Sequence, residues 1–162
     1  MLSWLKKKKL VEVKAPVAGI VKPLEEVSDQ VFSKGLIGQG VAVLPVDGNI
    51  YAPISGTLSV VFPTGHAFGI QAEDGSEYLI HIGIDTVALK GEGFQVMVTQ
   101  GEAIQQGNLL VKVDFELLKQ KGYDCDTIIL FTTPKDMGSF ELTAKKDEQV
   151  STKSTLFKSG LK

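Results

Sequence analysis

P-T-G-H-A-F-G-I-Q-A-E-D-G-S-E-Y-L-I-H-I-G-I-D-T-V, from Pro63 to Val87, holds both histidines of the chain, His66 and His81. Asp74-Gly75 lies between two runs rich in β-branched and aromatic residues, a short-range signature of a tight antiparallel hairpin with positive φ at the turn. With Asp74 and Gly75 as the loop, or as the centre of a four-residue loop, Glu73 stands across from Ser76. His66 then faces Gly83, and Phe68 faces His81. Residues directly opposite share a face and the side-chain period is two, so this register puts His66 and His81 on one side as diagonal neighbours, about 5 to 8 Å apart at Cβ. Two imidazoles so placed can share one small ligand. A three-residue loop would send them to opposite faces, because a one-residue slip flips every side chain.

Working outward, the rest of the chain breaks into similar short runs. Gly occurs 17 times and Pro 6 times among 162 residues, dividing stretches of Val, Ile, Leu and Thr into many short strands. The spacing predicts strands at Leu10–Lys14, Gly19–Lys22, Gly40–Leu44, Gly48–Tyr51, Gly56–Val61, Ala67–Ala72, Glu77–Ile84, Phe94–Val98, Leu109–Val113, Thr127–Phe131 and Glu141–Thr143. One helix is signalled, Asp114 to Lys121, with Asp114 as its cap, Phe115, Leu118 and, as a further candidate, Leu117 on its apolar side and Gly122 at its end. The expected fold is all-β, an antiparallel β-sandwich or barrel-like arrangement with one or two short helices. A-P-V-A-G-I-V at Ala15–Val21 echoes A-P-I-S-G-T-L at Ala52–Leu58, each a Pro ending one strand and a Gly opening the next, and G-E-A-I-Q-Q-G-N-L-L at Gly101–Leu110 is a third echo of turn, apolar step, turn and strand. This layout suggests a duplicated hybrid motif like the hammerhead of biotinyl and lipoyl carrier domains. Such a carrier needs a lysine at a hairpin tip within a pattern such as Met-Lys-Met or Asp-Lys-Ala, and no such tripeptide occurs.

Composition narrows the function classes. A hydrophobic share of 43% in 162 residues supports one full core. The expected organisation is a flexible basic segment at residues 1–12 followed by a single domain at 13–162. A net charge of −2 lacks the basic footprint of a nucleic-acid binder. No run approaches the roughly 20 apolar residues of a membrane span. The opening M-L-S-W-L-K-K-K-K-L does not form a signal peptide, because Lys6 to Lys9 interrupt it at once. A cytoplasmic location is expected. Met1 to Leu10 offers at most weak attraction to an anionic membrane surface, against the plainer reading of a solvated terminus. The single cysteine, Cys125 in Y-D-C-D-T, cannot close an internal disulfide, and its aspartate neighbours disfavour a thiolate, so it reads as a packed thiol.

Two close histidines suit metal binding, acid/base work or nucleophilic attack on phosphorus. A zinc site needs three or four protein ligands, so His66 and His81 could hold zinc only with carboxylate help or a partner's ligand. No G-x-S-x-G elbow, P-loop or kinase set is present, and Gly38-Gln39-Gly40 is too short for a dinucleotide loop. Phosphoryl carriage fits best, since a neutral imidazole nitrogen can attack in line while the protein positions it and stabilises the equatorial oxygens. In that scheme one histidine is the nucleophile and the other donates to the phosphoryl group. Thr64 can bond a ring nitrogen of His66 and set its tautomer. Gly83, opposite His66, leaves room for phosphate.

The chain resembles the glucose-type enzyme IIA proteins of the bacterial sugar phosphotransferase system, from about Val13 to Phe131. The resemblance rests on A-P-V-A-G; on D-x-V-F-S-x-x-x-x-G-x-G-x-A-x-x-P from Asp29 to Pro45; on A-P-x-S-G; on P-T-x-H-A-F; on L-I-H-I-G-I-D-T-V; and on L-K-G-E-G-F from Leu89 to Phe94. It implies a compact antiparallel β-sandwich in which His81 accepts phosphate from the phosphocarrier HPr and passes it to a cysteine of a IIB domain of a IIB/IIC sugar permease. It implies further that His66 stabilises the transferring group, with Thr64 bonded to it. Asp29 and Asp85 would meet basic partner residues, and Phe32 with Phe68 would form an apolar collar. No cofactor is required, although zinc could be shared at a partner interface. Gly65 stands where the family pattern suggests a longer side chain. Residues after Met137 match weakly and read as a strand plus a flexible tail. The lack of permease spans suggests a free-standing IIA or an excised domain, Met1 favouring the former, and a monomer is expected of a carrier that presents one face to successive partners. A regulatory module that holds permeases or metabolic enzymes according to phosphorylation state is the alternative function.

Overall fold

The computed structural model describes residues 9–162. Its strands are β1 Val11–Lys14, β2 Gly19–Pro23, β3 Gln39–Pro45, β4 Asn49–Tyr51, β5 Gly56–Val61, β6 Ala67–Gln71, β7 Glu77–Ile82, β8 Phe94–Val96, β9 Ala103–Ile104, β10 Leu109–Val113, β11 Thr127–Phe131, β12 Gly138–Leu142, β13 Gln149–Val150 and β14 Thr155–Leu161. Two short helices, α1 at Gln30–Ser33 and α2 at Phe115–Gln120, complete the frame. Helix α2 starts as expected, with the Asp114 carboxylate accepting from the Leu117 N–H.

The strands pair antiparallel in one large sheet, β13-β2-β3-β11-β7-β6-β5-β9, and two small ones, β1-β14-β12 and β4-β10-β8. The large sheet ends on β13 and β9, which do not pair with each other, so the antiparallel sandwich does not close into a barrel.

The duplication is visible in backbone hydrogen bonds. Lys14 N–H donates to the Pro53 carbonyl at 3.0 Å, and Tyr51 N–H donates to the Pro16 carbonyl at 2.7 Å, so the two Ala-Pro loops clasp each other reciprocally. Gly19 and Gly56 open the following strands, where a Cβ would collide with the Leu44 and Gln71 carbonyl oxygens of the neighbouring strand. The third echo, at Gly101–Leu110, has a partner that sequence reading missed, Asp147–Leu156. Val21 and Leu58 bond Glu148 and Glu102 in the same way, and Ala15 and Ala52 bond Ser154 and Asn108. The match escapes a reading by letters because, besides the turn geometry, only Glu102 with Glu148, the buried Ile104 with Val150 and the buried Leu110 with Leu156 are retained.

Two predicted boundaries move. β1 pairs with β14 from Val11, so Val11 and Glu12 belong to the folded unit, while residues 1–8 of the basic segment lie outside the described residues. The end of the chain is no tail: β14 is the middle strand of its sheet and buries Leu156 and Phe157 completely.

The hairpin also differs from its predicted register. Gly75 N–H donates to the Ala72 carbonyl, Ala72 N–H donates to the Ser76 carbonyl, and Gly75 has φ +94°. This is a three-residue loop, Glu73 to Gly75, built as a type I turn closed by a left-handed glycine. His81 therefore pairs with Ala67, and Phe68 pairs with Ile80.

Strands β7, β3 and β11 are apolar on both faces. Tyr78, Ile80, Ile82, Val41, Val43, Ile129 and Phe131 point into the main core between the sheets. Leu79, Ala42, Ile128 and Leu130 point the other way, where Leu24, Val27 and Phe32 cover them in a smaller cluster. His81, alternating with Ile80 and Ile82, belongs to this second face.

Candidate functional site

His81 is the penultimate residue of β7, and the turn after it decides its chemistry. Gly83 has φ +73°, which bends the chain so that its carbonyl oxygen lies 2.9 Å from His81 Nδ1. A carbonyl only accepts, so Nδ1 carries the proton of the neutral imidazole and Nε2 keeps its lone pair. No other residue type fits at position 83: a Cβ would lie 2.5 Å from Thr86 Cγ2 and 3.0 Å from the Asp124 carbonyl oxygen. Phe32 packs on the imidazole with ring centroids 4.8 Å apart.

His66 reaches the same place by an unpredicted route. A three-residue hairpin loop sends positions 66 and 81 to opposite faces if both lie in strands, but β6 begins only at Ala67. Upstream, Gly65 N–H bonds the Phe62 carbonyl and Gly65 has φ +74°, turning the chain at the strand's edge. His66 keeps one ladder bond, accepting Ile82 N–H at 2.7 Å, and its side chain swings onto the His81 face. The two rings stand 5.3 Å apart, edge to face at 82°. Gly65 is thus required where a longer side chain was expected, since a Cβ there would lie 2.9 Å from both Phe94 Cβ and Val96 Cγ2. Thr64 Oγ1 sits 2.5 Å from His66 Nδ1, and Phe62 packs against the ring at 5.1 Å.

Both imidazoles are neutral near pH 7. Burial, with a smaller contribution from His81, holds His66 down at about 4, and His66 is only 4% exposed. Burial also lowers His81, opposed by the Gly83 hydrogen bond and by the charges of Asp29 and Asp85. A neutral, half-buried imidazole with one committed nitrogen is a preorganised nucleophile.

The other predicted residues divide. Phe68 is fully buried in the main core opposite Ile80, so it does not face His81 and forms no part of a surface collar. Gly83 does not stand opposite His66, where Ile82 is found, and its role in the structure is the carbonyl bond to His81. Phe32 is buried too, at 8% exposure, and serves as a wall of the site. Asp29 caps α1 through the Val31 N–H, while Asp85 is exposed in a left-handed turn at φ +60°. Sequence reasoning passed over Val31, Leu36, Ile37, Phe62 and Val87, all exposed apolar side chains near these residues in the chain. Their signal is weak in sequence because exposed and buried valines look alike.

A groove of about 890 Å³, lined by Val11, Glu12, Gln71, Ala72, Glu73 and Asp74, lies by the opposite tip of the hairpin. Among the described residues no group of three His, Cys, Asp or Glu side chains is placed to hold a metal, and no helix is long and apolar enough to cross a membrane.

Comparison with known proteins gives a consistent picture. Residues 11–137 match the model of the family described as phosphoenolpyruvate-dependent sugar phosphotransferase system, EIIA 1. The chain is 44% identical over 131 residues to the glucose-specific EIICBA component of Streptococcus pneumoniae, covering 81% of this chain and 18% of that protein. It is 39% identical over 135 residues to the β-glucoside-specific EIIBCA component of Halalkalibacterium halodurans, covering 83% and 21%. It thus spans about a fifth of the length of these curated relatives. The solved structure of glucose permease IIA from Mycoplasma capricolum superposes with a TM-score of 0.84 at 38% identity, over 93% of this chain and 96% of that one.

Proposed function

Because the chain belongs to the EIIA 1 family of the phosphoenolpyruvate-dependent sugar phosphotransferase system, we propose that His81 Nε2 takes a phosphoryl group from the phosphocarrier HPr and passes it to a cysteine of a IIB domain. The observation that carries this reading is the 2.9 Å contact between His81 Nδ1 and the Gly83 carbonyl, which leaves Nε2 as the free lone pair. In the first transfer the bond from phosphorus to the donor breaks as the N–P bond to Nε2 forms. In the second, that N–P bond breaks as the cysteine thiolate attacks.

His66 acts on the same phosphorus without bonding to it. When the Thr64 hydroxyl donates to Nδ1, His66 Nε2 carries the proton and can donate to an equatorial oxygen. Its low proton affinity keeps it a neutral donor. Such a donor stabilises the phosphoryl oxygens without trapping the group as a fixed cation would, which suits a carrier that must release its cargo.

Exposed Val31, Leu36, Ile37, Phe62 and Val87 supply dry contact area for a protein partner, and Asp29 and Asp85 supply charge for basic partner residues. This surface equally favours the regulatory reading, in which a phosphoryl dianion on His81 alters which proteins bind. The two imidazoles provide only two zinc ligands, so zinc capture there requires a partner's side chain. On this reading the protein works on the cytoplasmic side, as a monomer presenting one face to HPr and to the permease in turn.

Intact mass after incubation with phosphoenolpyruvate, enzyme I and HPr tests the proposal. One acid-labile phosphoryl group is expected on wild type and on His66→Ala, and none on His81→Ala. Absence of the group from wild type would overturn the carrier reading and leave the binding module.

A further inference from the structure

The Y-D-C-D-T segment, whose cysteine reads as a packed thiol, forms a shelf beneath the His81 turn. We propose that Asp126, paired with Lys22, is a positioning residue for phosphoryl transfer: it holds the 124–126 backbone that fixes the Gly83 carbonyl and hence the tautomer of His81. This rests on the phosphocarrier reading for its consequence, though not for its geometry.

The Gly83 carbonyl and the Ile84 N–H belong to one planar peptide unit and point in opposite directions. Ile84 N–H donates to the Asp124 carbonyl at 3.0 Å, so the orientation of the carbonyl facing His81 is set from behind by residue 124. Gly83 N–H, in the preceding peptide unit, donates to the Asp126 carbonyl at 2.9 Å. These bonds run in series, from His81 Nδ1 through the Gly83–Ile84 peptide to residue 124, and such chains polarise one another.

The shelf itself is held by side chains. Lys22 Nζ lies 2.9 Å from Asp126 Oδ2, whose side chain is 3% exposed, while Lys22 remains 35% exposed. Ser28 Oγ donates to Asp124 Oδ2 at 2.8 Å. Lys22 and Ser28 flank the 3-10 turn Leu24–Glu26 and lead into α1, which carries Phe32 onto the His81 ring. One short segment therefore anchors both supports of the nucleophile, the carbonyl below it and the phenyl wall beside it. A buried carboxylate tied to a lysine and seated behind a hydrogen-bonded turn restricts that turn more tightly than apolar packing would, since charge-assisted bonds are shorter and stronger.

The test uses Asp126→Asn and Lys22→Met, with nitrogen NMR of the His81 ring at neutral pH and steady-state transfer from phosphorylated HPr. The expected result is a ring spectrum drifting from the Nδ1–H tautomer toward an average of both. Alongside it, kcat should fall about tenfold with KM for HPr unchanged, as a small misplacement of a reacting atom produces, and Asp126→Glu should recover part of the loss. Should Asp126→Asn fold poorly, Lys22→Met decides alone, because methionine keeps most of the length and the apolar stem of the partly exposed lysine while removing its charge. A wild-type ring spectrum or a wild-type kcat in the folded variants overturns the proposal. If wild type takes no phosphoryl group, the phosphocarrier reading fails, and the ring spectra still decide whether Asp126 positions His81.

Discussion

Strand β7 faces two environments, and their contrast separates stability from chemistry. On one side Tyr78, Ile80 and Ile82 enter a core shared by all three sheets. On the other, Leu79 and His81 meet a thin cover of Leu24, Val27 and Phe32. The thick side supplies rigidity, since close-packed interiors hardly deform. The thin side leaves an imidazole half-buried, dry enough to stay neutral and open enough to touch a partner. A nucleophile that exchanges a group between proteins needs both conditions, and alternation along one strand provides them.

The sharpest way to break this comparison is to substitute neighbours. His81→Ala should remove phosphorylation altogether, with loss of the acid-labile mass gain as readout, while urea denaturation shifts little. Ile80→Ala, one residue away and fully buried, should do the reverse, costing about 2 to 5 kcal/mol of stability while the folded fraction still accepts phosphate. Equal stability losses in the two variants would show that the faces are not distinct.

Gly83→Ala tests the joint between them. A left-handed backbone and contacts at 2.5 and 3.0 Å await the new methyl group, so about 2 to 4 kcal/mol of stability should be lost. The His81 tautomer should be disturbed as well, measured by ring nitrogen shifts. Loss of stability with an unperturbed tautomer would mean that the carbonyl does not govern the ring.

Thr64→Val keeps the shape beside His66 and removes its hydroxyl. Transfer onward to a IIB cysteine should slow about tenfold, the scale of one lost orienting hydrogen bond of about 1.4 kcal/mol, with little change in melting temperature. An unchanged rate would detach Thr64 from the chemistry.

How far this site was legible in the sequence depends on the element. Strands marked by apolar runs between glycines and prolines were readable, as was the Asp114 cap, because local chemistry determines them. β13 and the site-bearing α1 were not, being two and four residues long and stabilised by what they pack against. β14 was hidden by Lys158 and Ser159 amid its apolar residues; Ser159 is buried against the Tyr78 hydroxyl, a pairing 81 positions apart in sequence. The pairing of His66 with His81 was inferred from a two- or four-residue loop, whereas the loop has three residues. They meet because β6 stops one residue short of His66, a boundary that depends on Phe94 and Val96 lying against Gly65.

The smallest expected effect lies in the pH dependence of stability, and it tests whether the thin face is dry. With only two histidines in the chain, few groups besides imidazoles titrate between pH 7 and 5.5, since ordinary carboxylates take up protons mainly below pH 5. Folding lowers both imidazoles, His66 to about 4. Below pH 6.5 the unfolded chain therefore binds protons that the folded protein refuses, and stability must fall as pH falls. At pH 5.5 the loss from His66 alone should be about 1 kcal/mol relative to pH 7, read as a lower urea midpoint at constant m-value. The curve should flatten only above about pH 7.5, where the histidines of the unfolded chain are neutral as well. His66→Gln should remove its share of the slope, leaving the part due to His81. A midpoint independent of pH across this window would mean that water reaches both rings, and that the thin face does not keep its imidazoles neutral by burial.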